Sequence, residues 1–237
     1  MKRRVVVVGA GAAGLTAALR AAEAGAQVTL LNAHPKVGLK ILMSGGTRCN
    51  VTHREVGERD FNGGSRPFIS RVLRAFTVEQ TLAWFESLQV ELKLEDTGKY
   101  FPVTDDAQTV LDALLGAAER AGVGLRHGAR VVRLERGMEG SAPGVGYRLG
   151  IQRVVNSAAF DYGEVKGRRT EGWRLPAIEP DEWLEADAVV LATGGLSFPR
   201  TGSDGAGYAL ATALGHTLEP PAPALTPLTS ADHWCRA

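Results

Sequence analysis

The sequence predicts an α/β fold: a parallel sheet with helices on both faces and a small antiparallel β-meander. Three observations carry this. Val5 to Val8 is an unbroken β-branched run, as expected of a strand buried on both faces. An Ala/Leu-rich segment, Leu15 to Ala24, leads to a second apolar run, Gln27 to Leu31, completing a β-α-β unit. A third buried-strand run, Ala188 to Ala192, lies near the other end of the chain.

The remaining elements follow in order. Gly25 supplies the stop that helix ends prefer. Residues 32–66 are irregular and glycine-rich, too long for a plain connection, and long ordered loops tend to be functional. Thr77 and Gln80 form a capping-box pattern ahead of a helix whose Val78, Leu82, Phe85 and Leu88 face the core. A second helix is expected after Asp105, with Val110, Leu111, Leu114, Leu115 and Ala118 at helical spacing. Residues 124–134 read as a further strand or strand pair of the parallel sheet. Residues 136–185, short alternating stretches such as Tyr147 to Ile151 between glycines, read as a meander inserted in the main fold. Helical propensity returns at Tyr208 to Leu214. The domain expected over 1–219 is followed by 220–237, four prolines without period, read as a disordered tail or the start of a substrate-side domain.

Composition narrows the function. Lys and Arg total 27 against 26 Asp and Glu, a net charge of +1, so no broad basic field exists to hold nucleic acid or anionic lipid. The apolar run after Lys2, Arg3 and Arg4 ends at Gly9, which fits neither a signal peptide nor a membrane span. Two cysteines, Cys49 and Cys235, give neither a disulfide framework nor a metal-ligand spacing. The expected compartment is the cytoplasm, the expected partner a small-molecule substrate, and no metal site is expected.

Gly9, Gly11 and Gly14 sit between strand and helix, where their spacing has mechanical meaning. Gly9 permits the tight turn, Gly11 lets backbone approach a pyrophosphate, and Gly14 allows close helix–strand packing. With Ala12 and Ala13 they form a Rossmann-like phosphate cradle at a helix N-terminus. An acid should close the second strand to receive the adenosine ribose, and Asn32 stands there. Its amide accepts one bond and donates another but lacks a carboxylate's strength, so Asn32→Asp is expected to tighten binding. The alternative, a 2′-phosphate site, would use His34 and Lys36, since no Arg lies between residues 21 and 47.

The stretch Gly38-Leu-Lys-Ile-Leu-Met-Ser-Gly-Gly-Thr-Arg-Cys-Asn-Val-Thr52 resembles the BaiN/RdsA-type family of FAD-dependent oxidoreductases. Gly98 to Val103, Ala107 to Val110, Ala192 to Gly202, and Gly205 to Tyr208 resemble the same family. The resemblance implies an FAD-binding domain. Ser44, Gly45 and Gly46 would present backbone N–H groups, Lys40 and Arg48 positive charge, to an electron-rich flavin. Thr193 and Gly194 would approach the cofactor from a strand end, and the Val131 backbone would contact adenine. Cys49 reads as a buried, inert thiol, because no second cysteine lies close by to resolve it. No catalytic acid or base is assigned, because no pattern in the sequence sets Tyr100, Tyr208 or a histidine beside a group that would tune it for proton transfer.

Three positions depart from the family pattern: Asn32 for an acid, Leu39 for Arg, and Thr47 for the third Gly. Family members continue well past the position of Leu228, so this chain reads as their N-terminal portion. The implied function is hydride transfer from NAD(P)H through FAD to an organic substrate. The alternative is a catalytically incomplete module that holds FAD or another adenine nucleotide, with an exposed apolar face favouring self-association.

Overall fold

A computed structural model describes residues 2–137, 146–154 and 177–221. The expectation for the 220–237 tail lies almost wholly outside the described residues, as do the middle of the expected meander and Cys235.

In chain order the elements are β1 (Arg4–Val8), α1 (Ala12–Glu23), β2 (Gln27–Asn32), α2 (Leu39–Met43), β3 (Thr52–His53), α3 (Arg66–Ala75), α4 (Val78–Ser87), β4 (Leu92–Leu94), β5 (Lys99–Pro102), α5 (Ala107–Arg120), β6 (Gly124–His127), β7 (Ala129–Arg136), β8 (Tyr147–Arg153), β9 (Glu182–Ala186), β10 (Ala188–Leu191) and α6 (Ala206–Ala213). The main sheet is parallel, in the order β10-β1-β2-β6. Val5 to Val8 lies in one of its two inner strands, and Val7, Leu30 and Leu31 are fully buried, each such side chain contributing about 1.5–3 kcal/mol.

One face of this sheet packs on α1 and α5 through Leu15, Ala18, Val110, Leu111 and Leu114. The other face, through Val6, Val8 and Leu31, packs on the meander β7-β8-β9 and on Leu210 of α6. A third, small antiparallel sheet β3-β5-β4 rests against α4.

Two expectations are refined. The stretch 124–134 is not one strand of the parallel sheet. Gly128, with φ +61°, turns the chain, and an added Cβ there would sit 2.4 Å from the Val154 carbonyl oxygen. Gly124–His127 pairs with β2, whereas Ala129 onward joins the antiparallel sheet, so the meander begins at Ala129 and not at 136. The helix expected after Asp105 begins one residue later. Asp106 is its N-cap, accepting from Gln108 N at 2.8 Å. The capping box at Thr77 is formed as read, with both bonds present.

Candidate nucleotide-binding site

The site grows from the C-terminal ends of β1 and β10, adjacent parallel strands with Val8 opposite Leu191. From β1 the chain turns to β2 on one side, while β10 closes the other. This is the switch point where open α/β sheets hold ligands.

The three glycines of the first turn have separate jobs. Gly9 has φ +104°, and a Cβ there would lie 2.4 Å from the Ala192 oxygen. At Gly14 it would lie 1.7 Å from the Gly9 oxygen, so no side chain fits. At Gly11 it would meet nothing within 4 Å. Gly11 is also the N-cap of α1, which has no side-chain cap and no acidic residue in its first turn. The positive end of the helix is left for an anion.

That open space belongs to a cavity of about 1150 Å³, larger than the roughly 300–1,000 Å³ of an ordinary small-molecule site. Of the residues singled out in the sequence, Gly9, Gly11, Ala12, Ala13, Asn32, Lys40, Ser44, Val131, Thr193 and Gly194 line it. Gly14, Gly45, Gly46 and Arg48 do not. Gly14 packs the helix onto the turn, and an added Cβ at Gly45 would press on Phe101 and Asn50.

Arg48 is already engaged. Its Nη1 lies 2.5 Å from Glu95 Oε1 and 3.4 Å from Asp105 Oδ1, and its guanidinium stacks 4.0 Å from the Phe101 ring centroid. The charge expected beside the ligand is therefore satisfied within the protein. Lys40 differs. Its Nζ donates to Ser197 Oγ at 3.2 Å, no described carboxylate pairs with it, and burial holds its ammonium below the usual lysine value. A cation kept partly dry beside a large cavity favours an anionic ligand.

Asn32 lines the cavity and is also bonded within the protein. Its Oδ1 accepts from Ala10 N at 3.3 Å, and its Nδ2 donates to His34 O at 2.5 Å and Lys36 O at 3.0 Å. Both Nδ2 hydrogens are spent on the loop after β2, while Oδ1 ties that loop to the glycine turn and keeps a second lone pair. An aspartate would set a charged oxygen against two carbonyls, which removes the basis for expecting tighter binding from it.

Cys49 is buried with no second cysteine among the described residues, and burial pushes its thiol up, as suits an inert group. Sequence reasoning missed Arg130 and Asp204, both lining the cavity and joined at 2.8 Å, with Asp204 also accepting from Ala206 N at the start of α6. The signal for Asp204 was its place before a helix within Gly202 to Gly207. Arg130 carried none, because the meander must fold back before the two meet.

A parallel sheet, a glycine turn that leaves one N-terminal helix end open, and a large cavity at the switch point define a Rossmann-type domain. The chain belongs to the HI0933-like Rossmann-domain family, whose model matches residues 3–144. It is 34% identical over 232 residues to a 3-dehydro-bile acid delta(4,6)-reductase of Clostridium scindens, covering 97% of this chain and 48% of that protein. It is 27% identical over 224 residues to a ribosomal RNA dihydrouridine synthase of Haemophilus influenzae, covering 94% and 48%. The chain thus spans about half the length of these curated relatives. Among solved structures, the open conformation of a flavocytochrome c3 fumarate reductase superposes with a TM-score of 0.53 at 20% identity, over 90% of this chain and 40% of that one, which shows the fold. The family resemblance read from residues 38–52 and 192–202 is thereby shown. Among the described residues no helix is long and apolar enough to cross a membrane.

Proposed function

We propose that this chain is the FAD-holding part of an oxidoreductase in which hydride passes from NADH or NADPH through the flavin to an organic substrate. The observation that carries the reading is Gly11: the one glycine of the turn with open space before it faces a cavity larger than a mononucleotide needs. The residues present fit such a group. The Gly9–Gly14 turn and the start of α1 would hold the pyrophosphate, Asn32 and Val131 would border the adenosine, and Lys40, Ser44, Thr193 and Gly194 would border the ring. Bound FAD supplies the two-electron chemistry. The protein's part is position and charge: Lys40 favours a negatively charged ring, and the buried walls Ile41, Val110 and Leu114 keep water from it. Several relatives are reductases by name, which supports the class of reaction.

A second reading, a module that holds FAD or another adenine nucleotide without turning over, is favoured by Arg48, whose charge is engaged by Glu95 and Asp105 and not turned to the cavity. The domain division expected from the sequence, 1–219 followed by a substrate-side segment, belongs to this proposal. The test is anaerobic titration of the FAD-loaded chain with NADH and NADPH, following the flavin absorbance. Bleaching supports the oxidoreductase. Flavin that binds but does not bleach supports the passive module, and a chain that takes up no flavin sinks both FAD readings. Turnover per flavin should rise in a fusion carrying a relative's C-terminal half. Equal turnover would show that the site is complete within these 237 residues.

A further inference from the structure

Helix α3 is held unlike the other long helices. Pro67 in its first turn sets the backbone, and Arg, Leu and Ala sustain it, yet none of its ten residues is buried. The element it packs on most is the turn at residues 58–60. Ile69 and Leu73 are half-buried, whereas Phe68 and Val72, one turn apart, are exposed. Ordering an apolar helix side that buries nothing costs conformational entropy without return, which marks it as a surface for a partner.

The charge beside this side has one sign. Arg66, Arg71 and Arg74 are exposed, α3 holds no acid, and no described carboxylate pairs with any of the three. Arg71 follows Phe68 by three residues and Arg74 follows Arg71 by three, so the apolar pair has a basic flank. Of the acids that precede the helix, Glu55 lies 4.0 Å from Arg54, Glu58 is followed by Arg59, and Asp60 accepts from Gly57 N at 2.8 Å. In a chain of net charge +1 the flank is a local concentration. The end of the helix reaches the cavity. Phe76, which closes α3, is 43% exposed and also lines the cavity, so surface and cavity meet there. Its ring meets Trp84, another lining residue, edge-on at 6.2 Å between centroids.

We infer that α3 receives a small acidic electron-carrier protein, which gives the flavin a second source of electrons beside the nicotinamide. The inference rests on the FAD reading for the cavity. Opposite charge steers the encounter, and a small apolar patch with charges at its rim suits a carrier that must leave after each electron, as electron-transfer contacts are small. A carrier seated on Phe68, Val72 and the arginines stands one aromatic pair, Phe76 and Trp84, from the space assigned to the flavin. Two reduced carriers each give up one electron, the ring takes both with one proton from solvent, and no bond forms between carrier and flavin. The product is the negatively charged ring that Lys40 favours. A second copy of this chain on the same stripe would set arginine against arginine, so contact between copies strengthens as salt screens them, opposite to the carrier's dependence.

The test mixes the FAD-loaded 237-residue chain, without oxygen, with a reduced acidic iron–sulfur ferredoxin freed of chemical reductant, and follows flavin bleaching by stopped flow. The second-order rate should fall by about 10-fold or more as salt rises from about 20 to 300 mM, and by a similar factor at low salt in the double variant Arg71→Glu, Arg74→Glu. Bleaching by dithionite, flavin content and circular dichroism should be the same in variant and parent. Ferredoxin with its carboxylates amidated should lose both the salt dependence and the sensitivity to the variant. A rate indifferent to salt and to charge reversal would overturn the inference, as would a flavin that dithionite bleaches and ferredoxin does not. So would a rate that rises with salt, the sign of contact between copies. A mixed-sequence RNA oligonucleotide that binds through the same arginines, where ferredoxin does not bind, would overturn it in favour of nucleic acid. A chain that takes up no flavin sinks the FAD reading, and calorimetry with oxidised ferredoxin then judges the surface by itself. Salt-sensitive binding lost in the variant keeps the surface, and no binding removes it.

Discussion

A side chain at Gly11 would point into open space, whereas one at Gly14 would strike the Gly9 carbonyl, so one turn separates a binding position from a folding position. Gly11→Val should cost at least 100-fold in FAD affinity, about 2.7 kcal/mol, with a melting temperature near that of the parent. Gly14→Val should fail to fold. Equal flavin content in Gly11→Val and the parent would remove the cradle. The loop after β2 gives the reverse case. Asn32→Asp should lower stability by about 1–3 kcal/mol, because the Nδ2 bonds to His34 O and Lys36 O become repulsions, and it should not tighten FAD. Denaturant melting and a flavin titration on the same variant separate the two effects. At Thr47 the family's glycine is replaced by a residue held at φ +70°. Thr47→Gly should relieve that strain and raise stability by about 1 kcal/mol, read as a shift in urea midpoint at constant slope.

At the scale of elements, β1 is fastened to the turn before β10 by a clasp. Arg4 N donates to Asp187 Oδ2 at 2.7 Å, its guanidinium donates to Oδ1 at 2.8 Å, and Asp187 N returns a bond to Arg4 O at 2.9 Å. The Arg4 side chain holds the Asp187 carboxyl below its ordinary value. A carboxylate whose folded pKa is depressed contributes stability that is complete above its unfolded pKa, about 3.9, and lost as pH falls from there toward the folded value. Asp105, held down by Lys93 and then Arg48, adds to the same limb. Asp187→Asn should therefore lower stability at neutral pH and flatten its fall below about pH 4. An unchanged acid limb, measured by urea unfolding across that range, would mean the clasp is not coupled to folding. The elements also show what a sequence discloses. Val5 to Val8 was legible because four β-branched residues fit only a strand covered on both faces. The division at Gly128 was not, since β6 and β7 carry similar alternation and only the glycine's backbone decides which sheet each joins.

For the molecule as a whole, the cradle was readable because its residues are neighbours in the chain. The contacts that complete the site were not: Lys40 meets Ser197 across 157 residues, and Arg130 meets Asp204 across 74. Arg48 was misplaced for the same reason, because its carboxylates come from β4's end and the loop before α5. The net charge of +1 rules out a broad basic field but does not test an RNA substrate, and two relatives carry ribosomal RNA in their names. On the surface, Phe68 and Val72 of α3 are 66% and 53% exposed and lie one turn apart on the helix. Self-association through this stripe is expected, and Phe68→Glu should shift the chain toward monomer in light scattering. An identical mass for parent and variant would place any contact elsewhere.

The sheet also sets an order in time. β1 receives β2 on one edge within a few tens of residues, but its other edge stays open until β10 has emerged, and the clasp that seals it joins residues 183 positions apart. At roughly 5–20 residues per second of synthesis, this buried, valine-rich strand waits about 10 to 40 seconds with one row of hydrogen-bonding groups unmatched. During that interval the nascent chain presents a sticky, sheet-ready edge. Its yield in the cell should therefore follow the supply of chaperones more closely than the stability of the finished fold.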